Sequence, residues 1–245
     1  MKLDIIIPSY HSEVLTSLCI KTFEKFRGGK DFRYIVVENS NDVTYKDNIE
    51  SLSTDVLWVQ NPTDLINSEA NAIAIETGLK YVESERVFIC HNDVAAVQED
   101  WLDFLLDKMD NEGCAAAAFV LDNSRINALH ISGILVDASL ARSVSMYPVY
   151  KDGQQTLDVG DSITRYCRDN NLKYFCCDNT HNNSFLEENC YAPYNELSHV
   201  DRAFNSKQEI IFLHLGRGAP KTMGTYSKDG RITLDNWAAF IEKNI

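Results

Sequence analysis

The sequence lacks a long apolar run, a paired-cysteine motif and an excess of positive charge. No stretch approaches the roughly 20 apolar residues of a membrane-spanning helix, and the apolar start at Leu3–Ile7 is too short for a signal peptide. Lysines and arginines number 23 against 36 aspartates and glutamates, so the net charge at pH 7 is −13. That balance argues against a nucleic-acid-binding face. We therefore expect a cytoplasmic protein with no transmembrane segment and no nucleic-acid partner.

The placement of cysteine and glycine excludes further classes of protein. The seven cysteines are odd in number and no two have the C-x-x-C spacing, which fits reduced, mostly buried thiols. No glycine occurs before Gly28, so no glycine-rich phosphate-binding loop follows an early strand. We therefore expect neither a cysteine–zinc site nor a disulfide framework.

The first half of the chain alternates strand and helix patterns. Alternation at this spacing predicts a parallel sheet with helices on both faces. The predicted strands are Leu3–Ile7, Phe32–Val37, Val56–Val59, Arg86–Cys90 and Ala115–Leu121. The predicted helices are Glu13–Phe26, Val43–Leu52, Ser68–Glu83 and Glu99–Asn111.

The second half is less regular and shows neither a linker nor a repeat. Its predicted strands are Ile131–Val136, Lys173–Cys177 and Glu209–Leu213, and its predicted helices are Thr156–Asn170 and Leu234–Lys243. With 245 residues and 44% hydrophobic residues, the chain suits one large α/β domain or two small ones. We favour one domain over residues 1–245, with two lobes over about 1–120 and about 121–245.

Polar clusters follow three of the predicted strands. Pro8-Ser9-Tyr10 follows the first, Glu38-Asn39-Ser40 the second and His91-Asn92-Asp93 the fourth. Parallel strands share a direction, so these clusters are expected at one rim of the sheet, where ligands of open α/β sheets bind. Glu38 is placed to accept hydrogen bonds from a base or a ribose, although capping of a turn explains the pattern equally well.

The cluster His91-Asn92-Asp93 offers an imidazole, an amide and a carboxylate. Such groups can hold a divalent cation against a phosphate. The alternative is a polar turn that caps the helix beginning near Glu99. Local pattern alone leaves both interpretations open.

The ordered strand ends resemble those of glycosyltransferase family 2, which has the GT-A fold. The matching residues are Ile5-Ile6-Ile7-Pro8-Ser9-Tyr10, Val36-Val37-Glu38-Asn39-Ser40, Asn92-Asp93-Val94 and Trp101-Leu102. The resemblance covers residues 3–120 and extends weakly to 218. It implies an α/β, Rossmann-like fold with a mixed, mostly parallel sheet. The lobe over about 1–120 would then bind the nucleotide, and the lobe over about 121–245 would bind the acceptor. It also implies a hexosyltransferase type of enzyme, which transfers sugar from a nucleotide-diphosphate-sugar donor to a hydroxyl of a carbohydrate or other acceptor, with inversion.

The resemblance also implies roles for the strand ends. In the family the first two strand ends hold the nucleoside, which corresponds here to Pro8, Ser9, Tyr10 and Glu38. The family's Asp-x-Asp motif holds Mn²⁺ or Mg²⁺ on the diphosphate and maps onto His91-Asn92-Asp93.

This sequence departs from the motif because His91 stands in place of the first carboxylate. Asp93 is then the expected metal ligand, His91 assists, and Asn92 contacts the ribose or sugar. Losing one carboxylate weakens a site for a hard cation, and an imidazole favours Mn²⁺ over Mg²⁺.

Further residues match the family's pattern less closely. Asn71 resembles a helix-borne Asn near the diphosphate-sugar, and a solvent-facing Asn is the alternative. His214 resembles the C-terminal His that completes the metal shell, with a core His as the alternative. Arg217 and Lys221, in the glycine-containing loop that follows, would offset the charge of the leaving group.

Two aspartates are candidates for the catalytic base. Asp158 and Asp161 lie near the start of the predicted helix that continues to Asn170. Inverting members of the family place the carboxylate that deprotonates the acceptor before such a helix. Helix capping is the alternative role. We prefer Asp158 to Asp161 as the base, although the spacing itself does not separate them.

Two other functions compete with this interpretation. A non-catalytic carbohydrate- or nucleotide-binding protein with the same fold is favoured by the His91 departure. A sugar-phosphate nucleotidyltransferase is disfavoured by the missing glycine-rich loop after the first strand. The remaining histidines are interpreted as structural or exposed: His11, His130, His181 and His199. The sequence leaves the sugar, the base of the nucleotide, the acceptor and the oligomeric state open.

Overall fold

A computed structural model of the chain describes residues 2–181, 183, 186, 195–197, 200–216 and 233–244. Strands occupy Lys2–Ser9 (β1), Asp31–Glu38 (β2), Val56–Gln60 (β3), Arg86–Cys90 (β4), Val94–Ala96 (β5), Ala116–Ala118 (β6), Leu121–Asp122 (β7), Ala128–Leu129 (β8), Gly133–Asp137 (β9), Val149–Lys151 (β10), Gln154–Leu157 (β11), Tyr174–Cys176 (β12), Asp178–Asn179 (β13), Asp201–Phe204 (β14) and Ile210–His214 (β15). Helices occupy Glu13–Lys25 (α1), Lys46–Glu50 (α2), Asn67–Leu79 (α3), Trp101–Asp110 (α4), Ala138–Ser143 (α5), Asp161–Asp169 (α6) and Leu234–Asn244 (α7), with a 3₁₀ helix at Asn195–Leu197.

The main sheet has seven strands in the order β12-β6-β9-β4-β1-β2-β3. Strand β9 is antiparallel to both of its neighbours, β4 and β6, and the other pairs are parallel. The predicted fold class, a mixed and mostly parallel sheet flanked by helices, is therefore confirmed.

A second, four-stranded sheet has the order β13-β14-β15-β5 and is antiparallel throughout. Its strand β5 begins at Val94, four residues after β4 ends at Cys90. The polar segment 91–93 therefore joins the two sheets directly. The sequence pattern did not predict β5, β13 or β14, since each has only two to four residues.

The first strand runs past Pro8, where the sequence predicted its end. Pro8 pairs with Val37 and Ser9 pairs with Glu38 in the parallel register of β1 and β2. Proline has no N–H to donate to a neighbouring strand. Its position is tolerated because β4 pairs with β1 only over residues 4–6, so β1 has a single strand neighbour at Pro8.

The predicted helix Thr156–Asn170 is wrong in its first turn. Gln154–Leu157 forms β11 of an antiparallel hairpin with β10, and α6 begins only at Asp161. Gly160 separates the two with φ +78°, and a Cβ there would lie 2.8 Å from Cδ1 of Ile131. Positive φ and the close contact both call for glycine. The predicted strand Ala115–Leu121 is likewise divided, into β6 and β7.

Apolar side chains cover both faces of the main sheet. Ile5 and Ile7 of β1 lie in one buried cluster and Ile6 lies in the other, as expected for a central strand. A group of aromatic rings fills the first cluster, between the main sheet and the second sheet: Phe23, Phe88, Trp101, Phe119 and Phe212. The rings of Phe119 and Phe212 stack with centroids 4.0 Å apart.

Helix α7 packs on α1 and on the second sheet. Trp237, Phe240 and Ile241 are buried against Leu15 and Leu18 of α1. Among the described residues, no helix is both long enough and apolar enough to cross a membrane.

The aromatic cluster generates a prediction about stability. Replacing Phe119 by Ala removes a fully buried ring and leaves a cavity against Phe212. Such changes lower the free energy of unfolding by about 3–5 kcal/mol, which urea denaturation measures. Tyr150→Ala, at a residue 56% exposed, is the control and should change it by less than about 0.5 kcal/mol. Equal effects of the two changes would contradict the packing described here.

Candidate functional site

The ends of β1 and β2 are fastened together by Glu38. Its carboxylate is fully buried and accepts hydrogen bonds from the backbone N–H groups of His11 (3.2 Å) and Ser40 (3.0 Å) and from the Tyr45 hydroxyl. The Tyr45 hydroxyl also lies 3.3 Å from Oγ of Ser9. Through these buried hydrogen bonds Glu38 fixes the conformation of the loop that follows β1. Its contact with a nucleoside stays a prediction.

The other residues predicted for the nucleoside lie beside this network. Tyr10 is 38% exposed and contacts the ring of His11, while Pro8 is half-buried. Asn92 is buried and donates a hydrogen bond to Oγ1 of Thr16 on α1, 3.2 Å away. Among the residues predicted to hold the nucleoside, Tyr10 is therefore the most exposed to solvent.

The three residues predicted to hold a metal lie together, beside the end of β4. Asp93 Oδ1 lies 3.9 Å from Nδ1 of His91 and 3.6 Å from Nε2 of His214. One ligand atom from each residue falls within 4.8 Å of the others. Two imidazoles and one carboxylate suit Mn²⁺ and later first-row divalent ions better than Mg²⁺.

The buried nitrogen of His214 supports this interpretation. Its Nε2 has no hydrogen-bond partner in the described part of the chain, and a buried polar atom of that kind requires an explanation. The 3.6 Å separation from Asp93 is too long for a good hydrogen bond. Ligands about 2.1 Å from one ion lie about 3 Å apart at right angles. A small closure around an ion would give Nε2 of His214 a partner.

Backbone pairing explains why distant residues meet here. Strand β15 is antiparallel to β5, and its register places His214 opposite Val94. The next amide, that of Leu215, donates to the carbonyl oxygen of Asp93 at 2.9 Å. His214 is thereby fixed beside Asp93 across 121 residues of sequence.

The Asn71 amide holds the far edge of the His91 ring. Asn71 Nδ2 lies 2.9 Å from Nε2 of His91, so that Nδ1 faces Asp93. Helix α3 therefore brings Asn71 to the candidate metal site, and its contact with a diphosphate-sugar stays a prediction.

Asp201 lies behind His214. Its Oδ2 is 3.1 Å from Nδ1 of His214 and 3.3 Å from Nδ1 of His181. Burial would raise the pKa of Asp201, but hydrogen bonds from both imidazoles lower it below its usual value. Burial would lower the pKa of His214, but Asp93 and Asp201 raise it above its usual value. Sequence reasoning did not find Asp201.

His130 and His181, interpreted from the sequence as structural or exposed, lie at this site. The ring of His130 is 5.4 Å from that of His91 and 5.7 Å from that of His214, measured between centroids. It also stacks on His181 at 6.1 Å. Burial and the neighbouring imidazoles hold the pKa of His130 well below its usual value, so the ring is neutral at pH 7. No local sequence motif identifies His130 and His181 as residues of this site, because strand pairing brings them together.

The candidate bases Asp158 and Asp161 share one arginine. Arg125 Nη2 lies 3.1 Å from Asp158 Oδ2, and Arg125 Nε lies 3.3 Å from Asp161 Oδ2. The same guanidinium reaches Asp122 at 2.6 Å. The Asp158 side chain is 26% exposed and that of Asp161 is 5% exposed. Burial raises the pKa of Asp161. Sequence reasoning missed both Arg125 and Asp122.

The segment between β8 and β9 connects the aspartates to the histidines. The Leu129 amide donates to Oγ1 of Thr164 on α6 at 2.9 Å, and Ile131 packs over Gly160. His130 lies between these two residues in sequence. The start of α6 is therefore held next to the strand end that carries His130. Arg217, Lys221 and His199 lie outside the described residues.

No protein-family model matches this sequence, and no curated protein sequence matches it. Solved structures do match the fold. A mannosyltransferase, PcManGT, from Pyrobaculum calidifontis in complex with GDP-Man and Mn²⁺ has a TM-score of 0.54 at 12% identity, over 71% of this chain and 54% of that chain. Glucosyl-3-phosphoglycerate synthase from Mycobacterium tuberculosis, in complex with Mn²⁺, UDP and phosphoglyceric acid, has a TM-score of 0.52 at 11% identity, over 71% and 67%.

These likenesses identify the fold as that of the GT-A nucleotide-sugar glycosyltransferases, as the strand ends predicted. The chain spans about half the length of the mannosyltransferase it matches, 54%. Identities of 11–12% show the fold alone. Donor, acceptor and mechanism are therefore matters for proposal.

The shared arginine generates a pH-dependent prediction. Replacing Arg125 by Gln leaves three carboxylates close together without their cation. We expect a loss of about 1.5–3 kcal/mol in the free energy of unfolding at pH 7.5, the range for hydrogen bonds to charged groups. Burial would raise the pKa of Asp122, but hydrogen bonds from Ser124 and the charge of Arg125 lower it below its usual value. Part of this stability therefore exists only while Asp122 is ionised.

The loss should therefore persist down to the ordinary aspartate pKa of about 3.9, and shrink only below it, as the pH falls through the lowered pKa of Asp122 in the folded protein. Urea denaturation at pH 7.5 and at pH 2.5 measures the difference. Lys2→Gln, in an exposed pair with Asp55, is the control and should have little effect at either pH. A loss for Arg125→Gln that stays constant with pH would contradict the ionic origin.

Proposed function

We propose that the protein is a metal-dependent glycosyltransferase that moves a sugar from a nucleotide-diphosphate-sugar donor to a hydroxyl acceptor with inversion. The observation that carries the proposal is the cluster His91, Asp93 and His214 at the end of β4 in a GT-A fold. The matching mannosyltransferase and synthase structures contain Mn²⁺ with GDP-Man or with UDP.

Within this proposal His91, Asp93 and His214 hold Mn²⁺ or Mg²⁺, with Mn²⁺ preferred by the two imidazoles. A bound divalent cation supplies positive charge that offsets the diphosphate leaving group. Arg217 and Lys221, which follow β15 in the sequence, are proposed to add to that charge.

The nucleoside is proposed to lie over the ends of β1 and β2. Pro8, Ser9 and Tyr10 line one side of the proposed nucleoside site, and the exposed ring of Tyr10 is available for stacking. Glu38 fixes the conformation of this segment by accepting hydrogen bonds from the backbone N–H groups of His11 and Ser40. Asn71 and Asn92 are proposed to contact the sugar or ribose side of the donor.

Asp158 is proposed as the catalytic base and Asp161 as its support. Asp158 has the more exposed side chain, whereas Asp161 is buried and accepts a hydrogen bond from the Asp158 amide at 2.7 Å. The base takes the proton of the acceptor hydroxyl as its oxygen attacks the anomeric carbon from the face opposite the nucleotide. The bond to the diphosphate breaks on the other side, which gives inversion.

A non-catalytic nucleotide-binding protein with this fold remains the second candidate. The observation that favours it is His91, which replaces a carboxylate in the motif. Such a protein would bind a nucleotide-sugar without turnover. Metal-dependent hydrolysis or transfer of the donor therefore separates the two functions.

The first test is a thermal-shift screen of UDP, GDP, CDP and dTDP, each with and without Mn²⁺. A ligand that binds only the folded protein raises the melting temperature. We expect one nucleotide to raise it, and to raise it further with Mn²⁺. Asp93→Ala should remove the Mn²⁺-dependent part and abolish turnover of the matching nucleotide-sugar, while leaving the fold intact.

The control for that change is Asp103→Asn, at an exposed aspartate paired with Lys30, which should retain both responses. No shift with any of the four nucleotides would overturn the proposed donor site. Near-normal turnover by Asp93→Ala would overturn the metal assignment alone.

A second test separates the two aspartates. Asp158→Asn should lower kcat by about 10²–10⁴-fold, the range for loss of general acid–base catalysis, with the donor's affinity unchanged. Asp161→Asn keeps the size of the side chain and should cost mainly stability, since Asp161 is buried. Transfer and donor binding are measured separately on each variant. A larger fall in kcat for Asp161→Asn, with the fold preserved, would reverse the assignment.

A further inference from the structure

We propose that Asp201 is a positioning residue for the metal site, which fixes the ring of His214 so that Nε2 presents its lone pair beside Asp93. The inference rests on the proposed function, because it assumes that a divalent cation binds there. It adds a residue outside the three candidate ligands, on a strand that the sequence pattern did not predict.

The first step is the hydrogen bond on the far edge of the ring. Nδ1 of His214 lies 3.1 Å from Oδ2 of Asp201. An ionised carboxylate only accepts, so a neutral His214 keeps its proton on Nδ1 and leaves Nε2 unprotonated. Nε2 is buried, has no hydrogen-bond partner among the described residues, and lies 3.6 Å from Asp93 Oδ1. The contact therefore selects the tautomer that can bind a cation.

The orientation of the His214 ring is set at both of its edges. Asp93 lies off Nε2 and Asp201 lies off Nδ1, so the imidazole is held between two carboxylates. Asp201 is not among the clustered candidate ligands. A carboxylate behind a ligating histidine orients the ring and raises its basicity, and its loss costs about 10–100-fold in metal affinity.

The third step is that Asp201 is itself held rigidly. It pairs directly opposite His214 in the antiparallel register of β14 and β15. The next residue, Arg202, is fully buried and donates to the carbonyl oxygens of Leu197 (2.8 Å) and Val200 (2.6 Å). Its amide also donates to Oγ1 of Thr180 at 2.9 Å. A carboxylate on such a strand acts as a fixed support.

The same oxygen of Asp201, Oδ2, also accepts a hydrogen bond from Nδ1 of His181, 3.3 Å away. This second contact ties the end of β13 to the ring that faces Asp93. One carboxylate oxygen of Asp201 therefore contacts two imidazoles.

The test measures Mn²⁺ affinity directly, from the electron paramagnetic resonance signal of free Mn²⁺, with UDP and then with GDP present. Asp201→Asn should weaken Mn²⁺ binding by about 10-fold and Asp201→Ala by up to about 100-fold. Asp178→Asn, at an exposed carboxylate on the neighbouring strand β13, should bind Mn²⁺ like the wild type. Melting temperatures recorded with EDTA verify that each variant is folded.

The outcomes distinguish the inference from the proposed function. If the wild type binds Mn²⁺ and folded Asp201→Asn binds it equally well, the role of Asp201 is overturned and the metal site stands. If the wild type binds no Mn²⁺ with either nucleotide, the proposed metal site falls and the inference falls with it.

A measurement on the wild type covers the case in which the Asp201 variants do not fold. ¹⁵N-edited NMR at a pH above the titration of His214 reports which ring nitrogen carries the proton. We expect a proton on Nδ1 and none on Nε2. A proton on Nε2 in the neutral ring would overturn the proposed support by Asp201.

Discussion

The pairing of β15 with β5 is the contact on which the candidate site depends. The chain leaves the main sheet at Cys90 and enters the second sheet at Val94, so residues 91–93 are fixed at both ends. Strand β15 then sets His214 opposite Val94, and the Leu215 amide bonds to the Asp93 carbonyl. Strand β14 adds Asp201 opposite His214. The site is thus built on hydrogen-bonded strands, which hold side chains more accurately than loops do.

The aromatic layer beneath these strands keeps the two sheets in fixed relation. Phe88 of β4, Phe119 after β6 and Phe212 of β15 are all fully buried there. Gly133 starts β9 where a Cβ would lie 2.8 Å from Phe119 and 3.0 Å from Phe212. The antiparallel strand can therefore pass the stacked rings only with glycine at that point. Packing and pairing together fix the distance between His130, just before β9, and His214, at the end of β15.

The sequence predicted those elements and residues whose signal lies within one short, continuous segment. Strand β4 has the predicted bounds, Arg86–Cys90, because a continuous apolar run between polar residues is a local signal. The end of β4 and the last residue of β15 gave Asp93 and His214 as separate candidates, and the structure brings them together. The resemblance linked them, since nothing in the spacing of 121 residues does so.

What the sequence did not reveal depends on long-range pairing. Strands of three or four residues such as Val94–Ala96 and Asp201–Phe204 have too little periodicity to stand out. Asp201 and His130 matter only because strand register and packing place them behind and beside the ligands. Arg125 follows a two-residue strand and meets Asp158 and Asp161 only when β8 packs on α6. The chemistry of each short segment could be predicted from the sequence. Which distant side chains contact one another could not.

The replacement of a carboxylate by His91 has an electrostatic consequence under the proposed function. One carboxylate and two neutral imidazoles cancel one charge of a divalent cation, whereas two carboxylates would cancel both. The remaining positive charge stays available for the diphosphate, and opposite charges at short range in a partly dry site attract strongly. The weaker hold on free metal is then offset once the nucleotide is present, because its phosphate oxygens complete the coordination. His91 is on this argument compatible with catalysis, and it predicts that metal and nucleotide bind more tightly together than either binds alone.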